Sequence, residues 1–323
     1  MYRIEDHMGR RFEKLRVSLL NTCNFSCTYC VSSGPDATQN SLVPAFREEQ
    51  LDTNDFAKLI AAVHRVCGLK SIRLTGGEPL LYMNLFPLIE QIRNIGIEDI
   101  RLTTNGYYLK QTAKQLSKSG VRSINVSLDA IDADLMKTIS RHQNPQKVFD
   151  GIEAAVEAGM NVKLNAVIMR GQNDSQIIPL LDYAAKMGVK IRFLELMKMG
   201  HLFQGQNELF FSENEILETI SRSYNIQPLE RKASDTAHYW SAGGQRTFGI
   251  IANESTPFCH DCNRLRMDSR GYFFGCLSNA HGEKLAPFIE DQDLLIQKLR
   301  QLLLLKQPVK FHGSLLSMRN IGG

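Results

Sequence analysis

The feature that most constrains the fold is a regular alternation between residues 14 and 196 of short apolar runs with longer helix-like segments. The strand-like runs are KLRVSLL (14–20), SIRLT (71–75), DIRLTT (99–104), SINVSL (123–128), NVKLNAVI (161–168) and KIRFLEL (190–196). Between them, TNDFAKLIAAVHRVCG opens on Thr and Asp and stops at glycine, and IIPLLDYAAKMG stops the same way, as capped helices do. Six strands linked by helices predict a parallel sheet, either curled toward a barrel or doubly wound. In both arrangements ligands bind at the carboxyl ends of the strands.

After about residue 200 the pattern changes. A helix-like SENEILETISRSY leads to IQPLE, QRTFGIIA, RLRMD and YFFGCL, which read as antiparallel strands, and then to a helical DLLIQKLRQLLLL. The reading is a main unit over 1–200 and an α+β region over 201–323 that packs beside the sheet. A chain of 323 residues that is 43% hydrophobic can bury its core without disulfide staples. The opening residues carry no apolar signal-peptide core, and no stretch of about 20 uncharged apolar residues follows, so a cytoplasmic protein without a membrane span is expected. Lys plus Arg number 38 against 34 Asp plus Glu, a net charge of +4, which is too balanced for a dedicated nucleic-acid binder but compatible with a small anionic ligand.

Within this frame the seven cysteines become informative, because in a reducing compartment they serve as metal ligands, catalytic thiols or buried apolar groups. Cys23, Cys27 and Cys30 form C-x-x-x-C-x-x-C directly after the first strand, where an α/β fold places its chemistry. Three thiolates leave a tetrahedral zinc one ligand short, and leave one iron of a four-iron cluster without a cysteine, open to a chelating ligand. A zinc site completed by a distant residue such as His7 is the alternative. Downstream, Cys259 and Cys262 form C-x-x-C, and Cys276 follows, again three thiolates with His260 as the zinc alternative. Cys67 lies at an apolar helix position and reads as a core thiol. In TGGEP, Gly76 and Gly77 allow close backbone approach to a ligand and Glu78 offers an acceptor for an ammonium group; an ordinary strand-to-helix turn started by Pro79 is the other reading.

The first triad, Tyr29 before its third cysteine, and TGGEPLL after strand two resemble the radical S-adenosylmethionine enzymes. That resemblance implies a partial (β/α)6 barrel with parallel strands and a 4Fe-4S cluster held by Cys23, Cys27 and Cys30. The methionyl amine and carboxylate of S-adenosylmethionine would chelate the open iron, and reductive cleavage would give a 5′-deoxyadenosyl radical. Tyr29, Gly77, Glu78, Thr104 and Ser127 would contact the cofactor. The single downstream triad, CNRLRM and the terminal MRNIGG further resemble the GTP-cyclising family of molybdenum-cofactor biosynthesis along essentially the whole chain. This implies a second 4Fe-4S cluster on Cys259, Cys262 and Cys276 in the C-terminal region, with guanine at its open iron. It also implies conversion of GTP to (8S)-3′,8-cyclo-7,8-dihydroguanosine 5′-triphosphate. Arg16, Arg264, Arg266, Gly322 and Gly323 would act at the reacting centre, and Arg16, Arg73, Lys163, Arg192, Arg264 and Arg266 would bind substrate. Implied partners are a flavodoxin or ferredoxin reductant, the downstream cyclic pyranopterin monophosphate synthase and a second copy in a homodimer, with neither nucleic acid nor membrane. The chain departs from the family pattern at Val31, Ser71, Tyr82 and Met83. Two other readings therefore stand beside it: a radical enzyme acting on a peptide or another small molecule, and a non-catalytic iron-sulfur or zinc protein.

Overall fold

The computed structural model describes residues 4–32 and 50–321. Gly322 and Gly323, assigned above to the reacting centre, lie outside the described residues, as does most of the linker-like stretch 32–46.

The first half runs β1 (Lys14–Ser18), α1 (Thr53–Cys67), β2 (Ser71–Thr75), α2 (Leu85–Asn94), β3 (Asp99–Thr104), α3 (Leu109–Lys118), β4 (Val121–Ser127), α4 (Ala133–Ser140), α5 (Gln146–Glu157), β5 (Asn161–Ile168), α6 (Ile177–Lys186) and β6 (Lys190–Glu195). The second half adds α7 (Glu213–Ser221), β7 (Ile226–Pro228), β8 (His238–Ala242), β9 (Arg246–Ile251), β10 (Arg264–Met267), β11 (Tyr272–Phe274), β12 (Glu283–Lys284), α8 (Gln292–Leu304) and α9 (Met318–Ile321). The local signals act as read: the Asp52 side chain caps α1 by accepting from Asp55 N–H, and Gly68 ends the helix at φ 67°.

All strands join one sheet in the order β12-β11-β10-β1-β2-β3-β4-β5-β6-β9-β8-β7. It is an open, partial-barrel sheet whose centre, from β1 to β6, is parallel throughout. The C-terminal region does not merely pack beside it. β10 pairs parallel to β1 and β9 pairs parallel to β6, so the second half extends the sheet at both edges. Only then does it turn antiparallel, through β11 and β12 on one side and β8 and β7 on the other. The antiparallel expectation for RLRMD and QRTFGIIA holds for one neighbour of each strand and fails for the other. Alternation in sequence tells which face a residue takes, but not which strand lies beside it.

The two faces of the sheet have opposite character. In β5, Val162, Leu164, Ala166 and Ile168 are buried, while Lys163, Asn165 and Val167 between them are only partly buried. Leu15 and Val17 of β1, Leu74 of β2 and Leu102 of β3 join the same core as α1 residues Phe56, Ile60 and Val63. Each such side chain contributes about 1.5–3 kcal/mol on leaving water. The apolar face is spent on the helices, which leaves the other face to polar side chains and ligands. Among the described residues no helix is long and apolar enough to cross a membrane.

Candidate functional site

Two cavities open on the polar face, at different levels of the same strands. The first lies at the carboxyl ends and is lined by Cys23, Cys27 and Cys30 together with Tyr29, Gly77, Thr104 and Ser127. Glycine at 76 and 77 is a steric requirement, since a Cβ on Gly77 would stand 2.1 Å from Thr22 O and one on Gly76 2.7 Å from Leu20 O. The turn therefore packs directly on the cysteine loop, where Gly77 N–H donates to Leu20 O and Glu78 N–H to Thr22 O.

Glu78 is fully buried and does not line the cavity. Its carboxylate accepts from Thr104 Oγ1 at 2.6 Å, Asn105 N–H at 2.8 Å and Leu80 N–H at 3.0 Å, locking the turn to the end of β3. Burial pushes it up to about 7 against these hydrogen bonds. Tyr29 donates to Asp129 Oδ2 at 2.9 Å, and Asp129 Oδ1 accepts from Val167 N–H at 2.8 Å. Burial raises Asp129 to about 6. Arg319 of α9 also lines this cavity and donates to Asn21 O, bringing the C-terminal helix onto the cysteine loop.

The donor set fits an iron-sulfur cluster better than one ion. Among the described residues, no three Cys, His, Asp or Glu side chains converge on a single metal ion. The three thiols instead share one cavity, with one ligand available to each of three irons. Burial pushes Cys23 up to about 11 and raises Cys27 and Cys30, so cationic iron would be what holds them as thiolates.

The second cavity, about 450 Å³, lies toward the amino ends of the strands and is strongly cationic. Arg16, Arg73, Lys163, Arg192 and Arg264, all picked out in the sequence, line it. Strand register explains the convergence, because Arg266, Arg16, Arg73 and Arg101 stand opposite one another across β10, β1, β2 and β3. Burial pushes Arg16 well down, Arg73 to about 9 and Lys163 to about 8, and neighbouring arginines push the same way. Such a belt repels itself and is suited to a polyanion. Lys14, Arg101 and Lys190 also line it and were not picked out. They occupy inward positions of strands whose alternation was readable, but strand-end cations look solvated in sequence.

The second triad adjoins this belt. Arg264 Nη1 donates to Cys262 Sγ at 3.4 Å, and buried Lys306 donates to Arg264 O at 3.1 Å and Gly275 O at 2.7 Å. Burial would raise the Cys262 thiol, yet Lys306 and Arg264 hold it down to about 6. Arg266 is buried beside Cys262 and Cys276, with burial lowering it to about 10. Burial, and after it the neighbouring Cys262 and Cys276, push the Cys259 thiol up to about 11, which groups the three cysteines in one place. Lys306 had no sequence signal, because it follows a helix end and reaches its partners only through folding.

Comparison with known proteins agrees with this geometry. The Radical SAM superfamily family model matches residues 17–184, and the Molybdenum Cofactor Synthesis C model matches 189–311. A crystal structure of Streptococcus suis SuiB bound to S-adenosylmethionine shares the fold, with a TM-score of 0.62 at 16% identity over 90% of this chain and 68% of that one. The chain is thus a radical S-adenosylmethionine protein, a class whose cofactors are S-adenosylmethionine and a 4Fe-4S cluster. A GTP 3′,8-cyclase of Staphylococcus haemolyticus is 39% identical over 293 residues, 88% of this chain and 85% of that protein. One from Staphylococcus aureus strain MRSA252 is 39% identical over 291 residues, covering 88% and 85%. Within the class, the chain belongs to the GTP 3′,8-cyclase family.

Proposed function

We propose that the protein converts GTP to (8S)-3′,8-cyclo-7,8-dihydroguanosine 5′-triphosphate, the first step of molybdenum-cofactor biosynthesis. The observation that carries this reading is the stacking of a thiol-lined cavity above a cation-lined one inside one sheet. A radical enzyme acting on a neutral peptide has no use for a half-buried belt of arginines.

Cys23, Cys27 and Cys30 would hold the 4Fe-4S cluster, while Tyr29, Gly77, Thr104 and Ser127 would hold S-adenosylmethionine, with Glu78 fixing the turn. Bound there, the cofactors supply the one-electron chemistry that removes hydrogen from the ribose 3′ carbon. Arg73, Lys163 and Arg192 would bind the triphosphate. Arg16, Arg264 and Arg266 would orient the purine and counter charge developing as C3′ joins C8. Cys259, Cys262 and Cys276 would hold a second 4Fe-4S cluster, which would supply a coordination position for the base. Residues 1–200 would form the radical unit and 201–323 the auxiliary-cluster unit. Gly322 and Gly323 would act at the reacting centre. A flavodoxin- or ferredoxin-type reductant, the cyclic pyranopterin monophosphate synthase and a second copy of the chain complete the proposed partners.

The test is anaerobic incubation of the cluster-loaded protein with reductant, S-adenosylmethionine and GTP. The expected product has the mass of GTP but separates from it by chromatography. Cleavage of S-adenosylmethionine with GTP recovered unchanged would refute the assignment.

A further inference from the structure

Asn125 lies on β4 two residues before Ser127, so both side chains take the same face, about 7 Å apart along the strand. Ser127 lines the first cavity and Asn125 the second. Thr103, paired opposite Asn125, lines the first cavity, and Lys163, paired on its other side, lines the second. Asn125 therefore stands between the level of the first cavity and that of the second.

Asn125 is only 5% exposed. Its Nδ2 donates to Thr103 Oγ1 at 3.5 Å, while Oδ1 has no hydrogen-bond partner. Buried amide oxygens are seldom left unpaired, and one that is calls for an explanation. The positive potential of Lys163 and Arg73 favours turning the oxygen, not the nitrogen, toward the cavity. Such an oxygen needs a donor. Phosphate groups supply acceptors to that cavity, whereas a nucleotide's donors are its ribose hydroxyls and the N–H groups of its base. With the base assigned to the side of Cys262 and the carbon that loses hydrogen to the side of Cys27, the ribose falls at the level of Asn125.

We propose that Asn125 Oδ1 accepts a hydrogen bond from a ribose hydroxyl of the substrate and so determines specificity for the intact ribonucleotide. This rests on the GTP reading above. Nothing in the isolated sequence NVSLDA signals it, because only the fold buries the amide and leaves its oxygen unpaired.

The test is calorimetric binding of GTP, 2′-deoxy-GTP and 3′-deoxy-GTP to the cluster-loaded protein under anaerobic conditions, without S-adenosylmethionine so that no turnover occurs. Removing the hydroxyl from the ligand probes the bond with no change to the chain. One deoxy analogue is expected to bind the unaltered protein roughly three- to tenfold more weakly than GTP, the size of one hydrogen bond. Asn125→Ala is expected to weaken GTP by a similar factor and to leave that analogue's affinity unchanged. Equal weakening of GTP and both analogues by Asn125→Ala, or no weakening of GTP, overturns the inference. Failure of GTP to bind the unaltered protein, or an unchanged GTP affinity in Arg73→Ala, overturns the GTP reading itself and this inference with it.

Discussion

Gly77→Ala isolates the demand that the cofactor turn makes on the cysteine loop. The new Cβ would lie 2.1 Å from Thr22 O, 2.5 Å from Thr22 C and 3.0 Å from Asn21 C, all of them backbone atoms with no rotamer to escape by. Ordinary contact begins at 3.4 Å, so the turn and the loop must separate by about 1.3 Å at the closest pair. Forced overpacking of this kind costs about 1–3 kcal/mol. The larger effect falls on chemistry, since Thr22 adjoins Cys23 and a misplacement of about 1 Å at a reacting centre can lower a rate by about 10²-fold. The assay is urea unfolding alongside 5′-deoxyadenosine formation per bound cluster. Gly205→Ala is the control: nothing lies within 4 Å of its Cβ and its φ is −113°, so its stability is expected to change by no more than about 0.5 kcal/mol. Full cofactor cleavage by Gly77→Ala would refute the steric argument.

Two further outcomes follow from buried charge. Asp129 titrates near 6 in the fold against 3.8 in the unfolded chain, so ionising it opposes folding, and its contribution is lost as pH rises from about 4 to 6. Relative to the native protein, Asp129→Asn is expected to gain on the order of 3 kcal/mol in urea unfolding between pH 4 and pH 7, whatever constant penalty it carries; a pH-independent difference would contradict this. Lys163→Met removes a cation that burial and Arg192 already disfavour, and it is expected to stabilise the ligand-free protein by about 1 kcal/mol, discounted for partial exposure, while weakening tripolyphosphate binding. A drop in both, by thermal unfolding and calorimetry, would show that Lys163 is held by favourable contacts instead.

Much of the parallel sheet was legible in the alternation of the strands. SIRLT, DIRLTT and NVKLNAVI coincide with β2, β3 and β5, and the other three runs differ from their strands by two residues or fewer at each end. β8 was missed because HYWSA lacks a clear apolar alternation and is a strand by virtue of pairing with β9. The cysteine spacings and TGGEP marked the loops that meet in the first cavity. What the sequence could not convey was how satisfied each group becomes. Glu78 reads as a free acceptor, but in the fold its oxygens are taken by Leu80, Thr104 and Asn105. Asp129, in a segment that was noticed only for Ser127, proves to anchor Tyr29. Arg101 reads as a solvated strand residue, and register alone aligns it with Arg16 and Arg73.

The central claim is that one substrate spans both cavities, with its ribose 3′ carbon beneath the thiol-lined site and its phosphates in the cation belt. Turnover of GTP deuterated at the 3′ position, with mass analysis of the 5′-deoxyadenosine formed, tests this most directly. The account predicts one deuterium transferred into 5′-deoxyadenosine for each GTP cyclised, with the transfer lost in Arg73→Ala; unlabelled 5′-deoxyadenosine beside cyclised product would contradict it.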